Sequence, residues 1–136
     1  MSDPSLPLQR ALVVALKGDA AVAAIVGARV YDQPPAAAAY PYISLGEDQT
    51  LPDRGDGYEG SDTVLTLHVW SQAVGFPQVK TIGAAIRAAL GPGLAVDAST
   101  RVVDLAFDGA RYLRDPDGRT SHGVLTFTAL TEPSQA

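Results

Sequence analysis

Apolar side chains recur every four residues near the N-terminus, which is the spacing of one stripe along an α-helix. The positions that form this stripe are Leu8, Leu12 and Leu16. Gly18 is expected to end this helix, and Asp19 is a candidate N-cap for a second, shorter helix over residues 20–26. The pattern therefore predicts that the chain begins with two helices.

A third helical pattern lies in the middle of the chain and opens at Pro77, a residue type favoured in the first turn of a helix. Its apolar stripe consists of Val79, Ile82, Ile86 and Leu90. Gly83 and several alanines lie beside this stripe, and their small size lets the helix approach a sheet closely. The Gly91-Pro92-Gly93 sequence is expected to end the helix.

Alternation of apolar and polar residues, typical of half-buried strands, marks the segments 63–70, 103–108 and 125–129, and a shorter strand is predicted at 42–46. The residues expected on buried strand faces include Leu65, Leu67, Val69, Val103, Leu105 and Phe107. Between the last two strands, Asp115-Pro116-Asp117-Gly118 is a turn signal, because proline presets φ and glycine tolerates positive φ. These two strands are therefore predicted to form a hairpin.

The order of these elements predicts an α+β fold, with a mostly antiparallel β-sheet of about four strands and two or three helices packed on one face. The length of 136 residues fits a single domain over residues 1–136. Residues 29–32 are expected to be a short extended piece. Residues 131–136 are polar, contain Pro133 and are expected to fray.

Residues 47–62 contain six acidic residues and one arginine, together with several glycines and prolines, and are expected to form a flexible loop. This loop is either a solvated segment or one that contacts a partner. The last hairpin has a cluster of Arg101, Arg111, Arg114 and Arg119, which could meet the acidic loop of a neighbouring copy in a head-to-tail ring. The candidate interface residues are Asp53, Asp56, Glu59, Asp62, Trp70, Arg111, Arg114 and Arg119.

The composition excludes several function classes. A net charge of −5 makes the chain a poor candidate for binding the phosphate backbone of a nucleic acid. Without cysteine there is no disulfide, thiolate metal site or cysteine nucleophile, and two histidines cannot form a multi-histidine metal site within one subunit. No apolar run reaches the roughly 20 residues that cross a bilayer. The first residues, acidic and proline-bearing, do not predict a secretory signal, so synthesis in the bacterial cytoplasm is expected.

Residue types used in catalysis are present without the motifs that normally position them. The glycines at 55, 57 and 60 precede a predicted strand rather than the helix that a dinucleotide site needs. The Asp115-x-Asp117 sequence has Thr126 where a calcium loop needs its glutamate. His68 is predicted to be a packed or interface histidine and His122 a solvated residue at a strand edge. No enzyme, metal or cofactor is therefore predicted.

Two sets of residues have the types found in catalytic triads, and they remain candidates because such triads are recognised by geometry rather than by sequence spacing. They are His68, Ser71, Asp62 and His122, Ser121, Asp117. Neither set lies in a G-x-S-x-G nucleophile elbow. A small hydrolase or ligand-binding module therefore stays only as a less favoured alternative.

Several short motifs, taken in order, make the chain resemble one protein family from about residue 6 to residue 130. The motifs are LQRAL at 8–12, AIVGARVY at 24–31, YPYISLG at 40–46, HVWS at 68–71, AL at 89–90 and DPDGRTSHG at 115–123. The chain resembles the small tail-completion, or tail-terminator, proteins of long-tailed phages and gene transfer agents.

This resemblance implies a virion structural protein at the tail–neck junction, with no catalytic residues and no cofactor. Such a subunit forms a homohexameric ring at the head-proximal end of the tail tube, terminates tube polymerisation and helps to join tail to head. The implied partners are the tail tube protein and the head-completion or neck proteins, with DNA passing through the lumen without specific binding and with no membrane involved. A head-side neck protein, of the head-completion or stopper type, is the alternative in the same particle.

Overall fold

A five-stranded sheet dominates the part of the chain that this computed structural model describes, residues 3–53 and 60–133. The strands are β1 (Val30–Tyr31), β2 (Tyr42–Asp53), β3 (Gly60–Ser71), β4 (Thr100–Arg114) and β5 (Ser121–Pro133). Their order is β1-β2-β3-β5-β4, with β1 parallel to β2 and all other neighbours antiparallel. The predicted α+β class is confirmed, and the short extended piece adds one strand to the four expected.

Three helices pack on one face of this sheet in the described residues: α1 (Ser5–Gly18), α2 (Ala20–Val26) and α3 (Pro77–Leu90). The Asp19 carboxylate accepts a hydrogen bond from the backbone N–H of Val22 at 3.1 Å, which confirms the predicted N-cap. The core combines the predicted helical stripes with alternate residues of β3 and β5. The predicted residues that the core buries are Leu8, Leu12, Leu16, Leu65, Leu67, Val69, Val79, Ile82, Ile86, Leu90, Leu125, Phe127 and Ala129.

Much of the segment that was expected to be a loop is a strand pair. Residues 47–53 continue β2 and residues 60–62 begin β3, with Leu51 opposite Asp62 and the Thr50 and Thr63 hydroxyl oxygens 3.0 Å apart. The prediction of a loop over 47–62 is therefore wrong at both ends, and residues 54–59 lie outside the described residues. The error arose because one face of a strand can be exposed to solvent and carry polar side chains. The composition of such a segment resembles that of a loop.

The C-terminal segment also differs from its prediction over its first residues. Thr131 is buried and pairs with Ser61 and Val102, and β5 continues to Pro133. Residues 131–133 are thus held by two neighbouring strands rather than frayed, and residues 134–136 lie outside the described residues. Among the described residues, no helix has the length and apolarity that crossing a membrane requires.

Two irregularities in β4 change which of its side chains face the helices. The register with β5 shifts between Val102 and Asp104 and again between Phe107 and Gly109. The first shift leaves Val103 44% exposed, so its predicted place on the buried face is wrong, while Val102, Leu105 and Phe107 pack against the core. An extra residue in one strand reverses the alternation locally, and an apolar pattern alone does not reveal it.

Tyr112 of β4 fits under α3 at a place where two glycines make room for it. A Cβ added at Gly83 would collide with the Tyr112 hydroxyl, and one added at Gly123 would lie 3.1 Å from the ring. The small residues of α3 therefore allow the close helix–sheet approach that the sequence predicts, and they do so around one tyrosine.

We expect Gly83→Ala to lower the free energy of unfolding by about 1–3 kcal/mol, the usual cost of overpacking a core. Tyr112→Phe removes the atom nearest the added methyl, so the double variant should recover part of this loss. Urea denaturation of both single variants and the double variant measures the coupling. Gly18→Ala is the control, because no atom lies within 4 Å of its added Cβ. Equal losses with and without Tyr112→Phe would contradict this account.

Candidate functional site

Aromatic rings form a row across the face of the sheet that carries no helices. The row runs through Tyr31, Tyr40, Tyr42, His68, Trp70 and His122. Trp70 is its centre: its ring stacks on that of His122, with centroids 3.8 Å apart and planes 8° from parallel, and its indole N–H donates to Ser44 Oγ at 3.0 Å. Trp70, a predicted interface residue, therefore lies half-buried on the helix-free face rather than in the core beneath the helices.

His68 and His122 form a hydrogen-bonded pair within this row. His68 Nδ1 lies 2.7 Å from His122 Nε2, so one ring donates a proton and the other accepts it. Burial lowers the pKa of both histidines below the ordinary value of 6.5, and their proximity lowers the pKa of His122 further. A Cβ at Gly46 would lie 2.6 Å from His68 Nε2, so a glycine there leaves space for the ring.

The packed position predicted for His68 is confirmed, whereas the solvated edge position predicted for His122 is wrong. β5 lies between β3 and β4, so His122 is a half-buried residue of an internal strand. The sequence places His122 near a turn, but it does not reveal that its strand has neighbours on both sides.

The structure assembles neither of the candidate catalytic triads. Ser71 is buried on the opposite face of β3 from His68, and its hydroxyl donates to Gln78 Oε1 at 2.7 Å. Ser121 likewise faces away from His122 and donates to the backbone carbonyl of Gly75. Strand residues an odd number of positions apart point to opposite faces, which separates His68 from Ser71 and His122 from Ser121.

The acidic residue types do not gather into a metal centre in the described part of the chain. Asp117 accepts hydrogen bonds from the backbone N–H groups of Arg119 and Thr120 and therefore stabilises the turn. Across residues 3–53 and 60–133, no group of three metal-ligating side chains is brought together.

A groove lies between α3 and β4, on the helix-bearing side of the sheet. We call it the α3–β4 groove; it is open, holds about 660 Å³ and is lined by Lys80, Ala84, Arg87, Phe107 and Tyr112 among others. The Arg87 guanidinium lies over the Phe107 ring, 4.3 Å from the ring centroid. The Lys80 Nζ lies 5.7 Å from the centroid of the Tyr112 ring. All its charged lining residues are cations, so it presents positive charge over an aromatic floor.

The sequence predictions did not include this groove. The signal was present, because Lys80 and Arg87 are seven residues apart and so lie on the same side of a helix. What the sequence could not supply is that β4 borders α3 and places Phe107 and Tyr112 beneath the two cations.

Three of the four clustered arginines lie near the β4–β5 turn, as predicted. Arg111 is exposed on the helix-free side, Arg114 stacks over the Phe76 ring at 4.7 Å and Arg119 is exposed within the turn. Arg101 does not belong to this cluster: it lies at the other end of β4 and forms an ion pair with Glu132. Arg101 and Arg111 are ten positions apart along the strand, or about 33 Å.

The acidic candidate residues lie at the opposite end of the sheet from these arginines. Asp53 pairs in the backbone ladder with Gly60, and Asp62 pairs with Leu51 and Leu130. Asp56 and Glu59 lie outside the described residues. The acidic hairpin of β2 and β3 and the arginines of β4 therefore occupy diagonally opposite corners of one sheet.

Comparison with known proteins gives one consistent answer. Residues 10–132 match the family model described as "Tail completion protein gp17". A chain in the structure of the virion of a native gene transfer agent particle is 31% identical, with a TM-score of 0.87, covering 97% of this chain and 99% of that one. The gp17 protein of bacteriophage SPP1 is 22% identical with a TM-score of 0.63, covering 92% and 88%, and shows a shared fold. The search of curated proteins returns no significant match.

The histidine pair predicts a pH-dependent stability. Because the folded-state pKa values are lowered, the unfolded chain binds protons near pH 6.5 that the native protein does not. Stability is therefore expected to decrease as the pH falls through this value towards the folded-state pKa values. Urea midpoints at about pH 7.5 and about pH 5.5 measure the decrease.

The variant His68→Gln/His122→Phe contains no histidine and keeps a ring stacked on Trp70, so its decrease over the same pH range should be smaller. Equal decreases in the wild type and the variant would show that other groups cause the effect.

Proposed function

Because the chain belongs to the tail completion protein gp17 family, we propose that it forms a ring at the head-proximal end of a tail tube, terminates tube polymerisation and helps to join the tail to the head. It is a structural protein of a phage-like tail. The observation that carries the proposal is the match to a chain of a gene transfer agent virion over nearly the full length of both chains. The role is accordingly structural rather than enzymatic.

The positions of the charges support assembly into a ring. Head-to-tail contacts need two different, complementary patches on distant parts of one subunit, whereas a patch that binds its own copy gives a closed dimer. The acidic hairpin that contains Asp53 and Asp62 and the corner that contains Arg111 and Arg114 meet this requirement. A homohexamer is the proposed closed form, with Asp56, Glu59 and Arg119 as further candidate contacts.

The proposed partners are the tail tube protein on one side of the ring and head-completion or neck proteins on the other. The net charge of −5 suits a ring through which DNA passes without specific binding, because like charge disfavours contact with phosphates. A protein on the head side of the neck is the alternative within the same particle.

Electron microscopy of particles from a producer strain that lacks this gene tests the function. Tails of irregular and excessive length, separate from filled heads, are expected for a terminator. Tails of normal length that fail to join heads would place the protein on the head side of the neck, and intact particles that deliver DNA would refute both roles.

Charge reversal tests the arginine corner. We expect Arg111→Glu/Arg114→Glu to reduce the yield of joined particles roughly tenfold or more, because like charges across an interface are strongly unfavourable. Complementation of the deletion strain, followed by particle counting, measures this yield.

Arg10→Glu/Lys17→Glu is the matched control, since it changes the net charge equally on exposed positions of α1. Joined particles at wild-type yield from the Arg111/Arg114 variant, or an equal loss from the control, would remove these arginines from the proposed interface.

A further inference from the structure

We infer that the α3–β4 groove of one subunit receives the exposed acidic part of β2 from a second copy, with Leu51 over the aromatic floor and the neighbouring carboxylates beside Lys80 and Arg87. The inference rests on the proposed ring and names the contact that would build it.

The groove has the chemistry of a site for an acidic segment with an apolar side chain. Phe107 and Tyr112 form its floor, and Lys80 and Arg87 lie over these rings as cations without an acidic residue in the lining. Arg114 extends the positive charge towards the β4–β5 turn, where it covers Phe76. Cations held over aromatic rings are already partly desolvated, which favours their pairing with carboxylates.

The second half of β2 offers the complementary set of side chains. Leu51 is 53% exposed, a large fraction for a leucine in a strand. Two carboxylates share its face of the sheet: Glu47, which is exposed near His68, and Asp62, which lies directly opposite Leu51 on β3. β1 pairs only with Ile43 and Ser44 of β2, so within the described residues the backbone beyond that point has no strand on its outer side. An exposed leucine beside carboxylates on an open strand edge fits a cation-rimmed aromatic groove.

The two halves of this contact cannot meet within one subunit. β3 and β5 separate β2 from β4, which places the two strands about 14 Å apart in the sheet, and Leu51 points to the face opposite the groove. A contact between them therefore joins different copies. Because each subunit carries one groove and one acidic strand, every copy binds two neighbours, as a ring requires.

The absence of cysteine from the chain makes a specific cross-linking test possible. Leu51→Cys/Ala84→Cys places one thiol on β2 and one in the groove, and these cannot form a bond within one subunit because a disulfide needs Cα atoms within about 7 Å. Mild oxidation of tails that contain this variant should give a ladder of covalent oligomers ending at the size of the ring. Leu51→Cys/Val14→Cys is the matched control, because Val14 is exposed on α1, away from the groove, and should give no ladder.

The result separates the contact from the function. Tails that contain the variant protein at normal abundance but yield no ladder would overturn the contact, while the phenotype of the deletion strain decides the terminator role independently. A photoreactive residue in place of Ala84 identifies the occupant: cross-linked peptides that include Leu51 support the inference, and peptides from another tail protein refute it.

A charge exchange provides a second, independent test. Arg87→Glu should lower the yield of joined particles at least tenfold, and adding Glu47→Arg should restore much of it by reversing the pair. Glu47→Arg alone should also reduce the yield. Failure of the double variant to exceed either single variant would show that these two residues do not face each other.

Discussion

The antiparallel pairing of β3 with β5 is the constraint on which the rest of the molecule depends. It runs without interruption from Ser61 opposite Thr131 to Ser71 opposite Ser121. Its alternation sends Leu67 and Leu125 to the helices and His68 and His122 to the other face. A slip of one residue would exchange the two faces, so this register fixes the core, the histidine pair and the position of Trp70 together.

The sequence predicted the elements whose periodicity comes from burial, and it failed where geometry depends on distant strands. Leu8, Leu12 and Leu16 all lie in the core, and their spacing of four residues already indicates one buried helix face. The outer half of β2 and the exposure of Val103 were missed for a different reason. A polar strand lacks an apolar signal, and a bulge changes direction without changing composition.

The candidate site was likewise predictable only in part. The charges that form the two corners are visible in the sequence, but their separation is not, because the sequence alone assigns both Arg101 and Arg111 to the last hairpin. The pairing of β4 with β5 shows that the two arginines are far apart, because Arg101 lies opposite Glu132 and Arg111 lies opposite Val124. The α3–β4 groove could not be predicted from the sequence, because it depends on the packing of Lys80 and Arg87 of α3 over aromatic rings of β4.

The acidic part of β2 and the α3–β4 groove lie on different strands and at different levels of the sheet, which constrains any ring built from their contact. If the acidic part of β2 enters the groove beside β4 of the next copy, each subunit must be displaced along the strands relative to its neighbour, because the two contacts lie at different levels of the sheet. A closed ring accommodates such a displacement by tilting its strands relative to the ring axis, as strands do in barrels. In such a ring the acidic part of β2 and the α3–β4 groove are both occupied in every subunit, so the lateral contact offers no further site for growth. Other surfaces, such as exposed Val14 and Val74, would stay available in the proposed ring for the two unlike partners proposed above and below it.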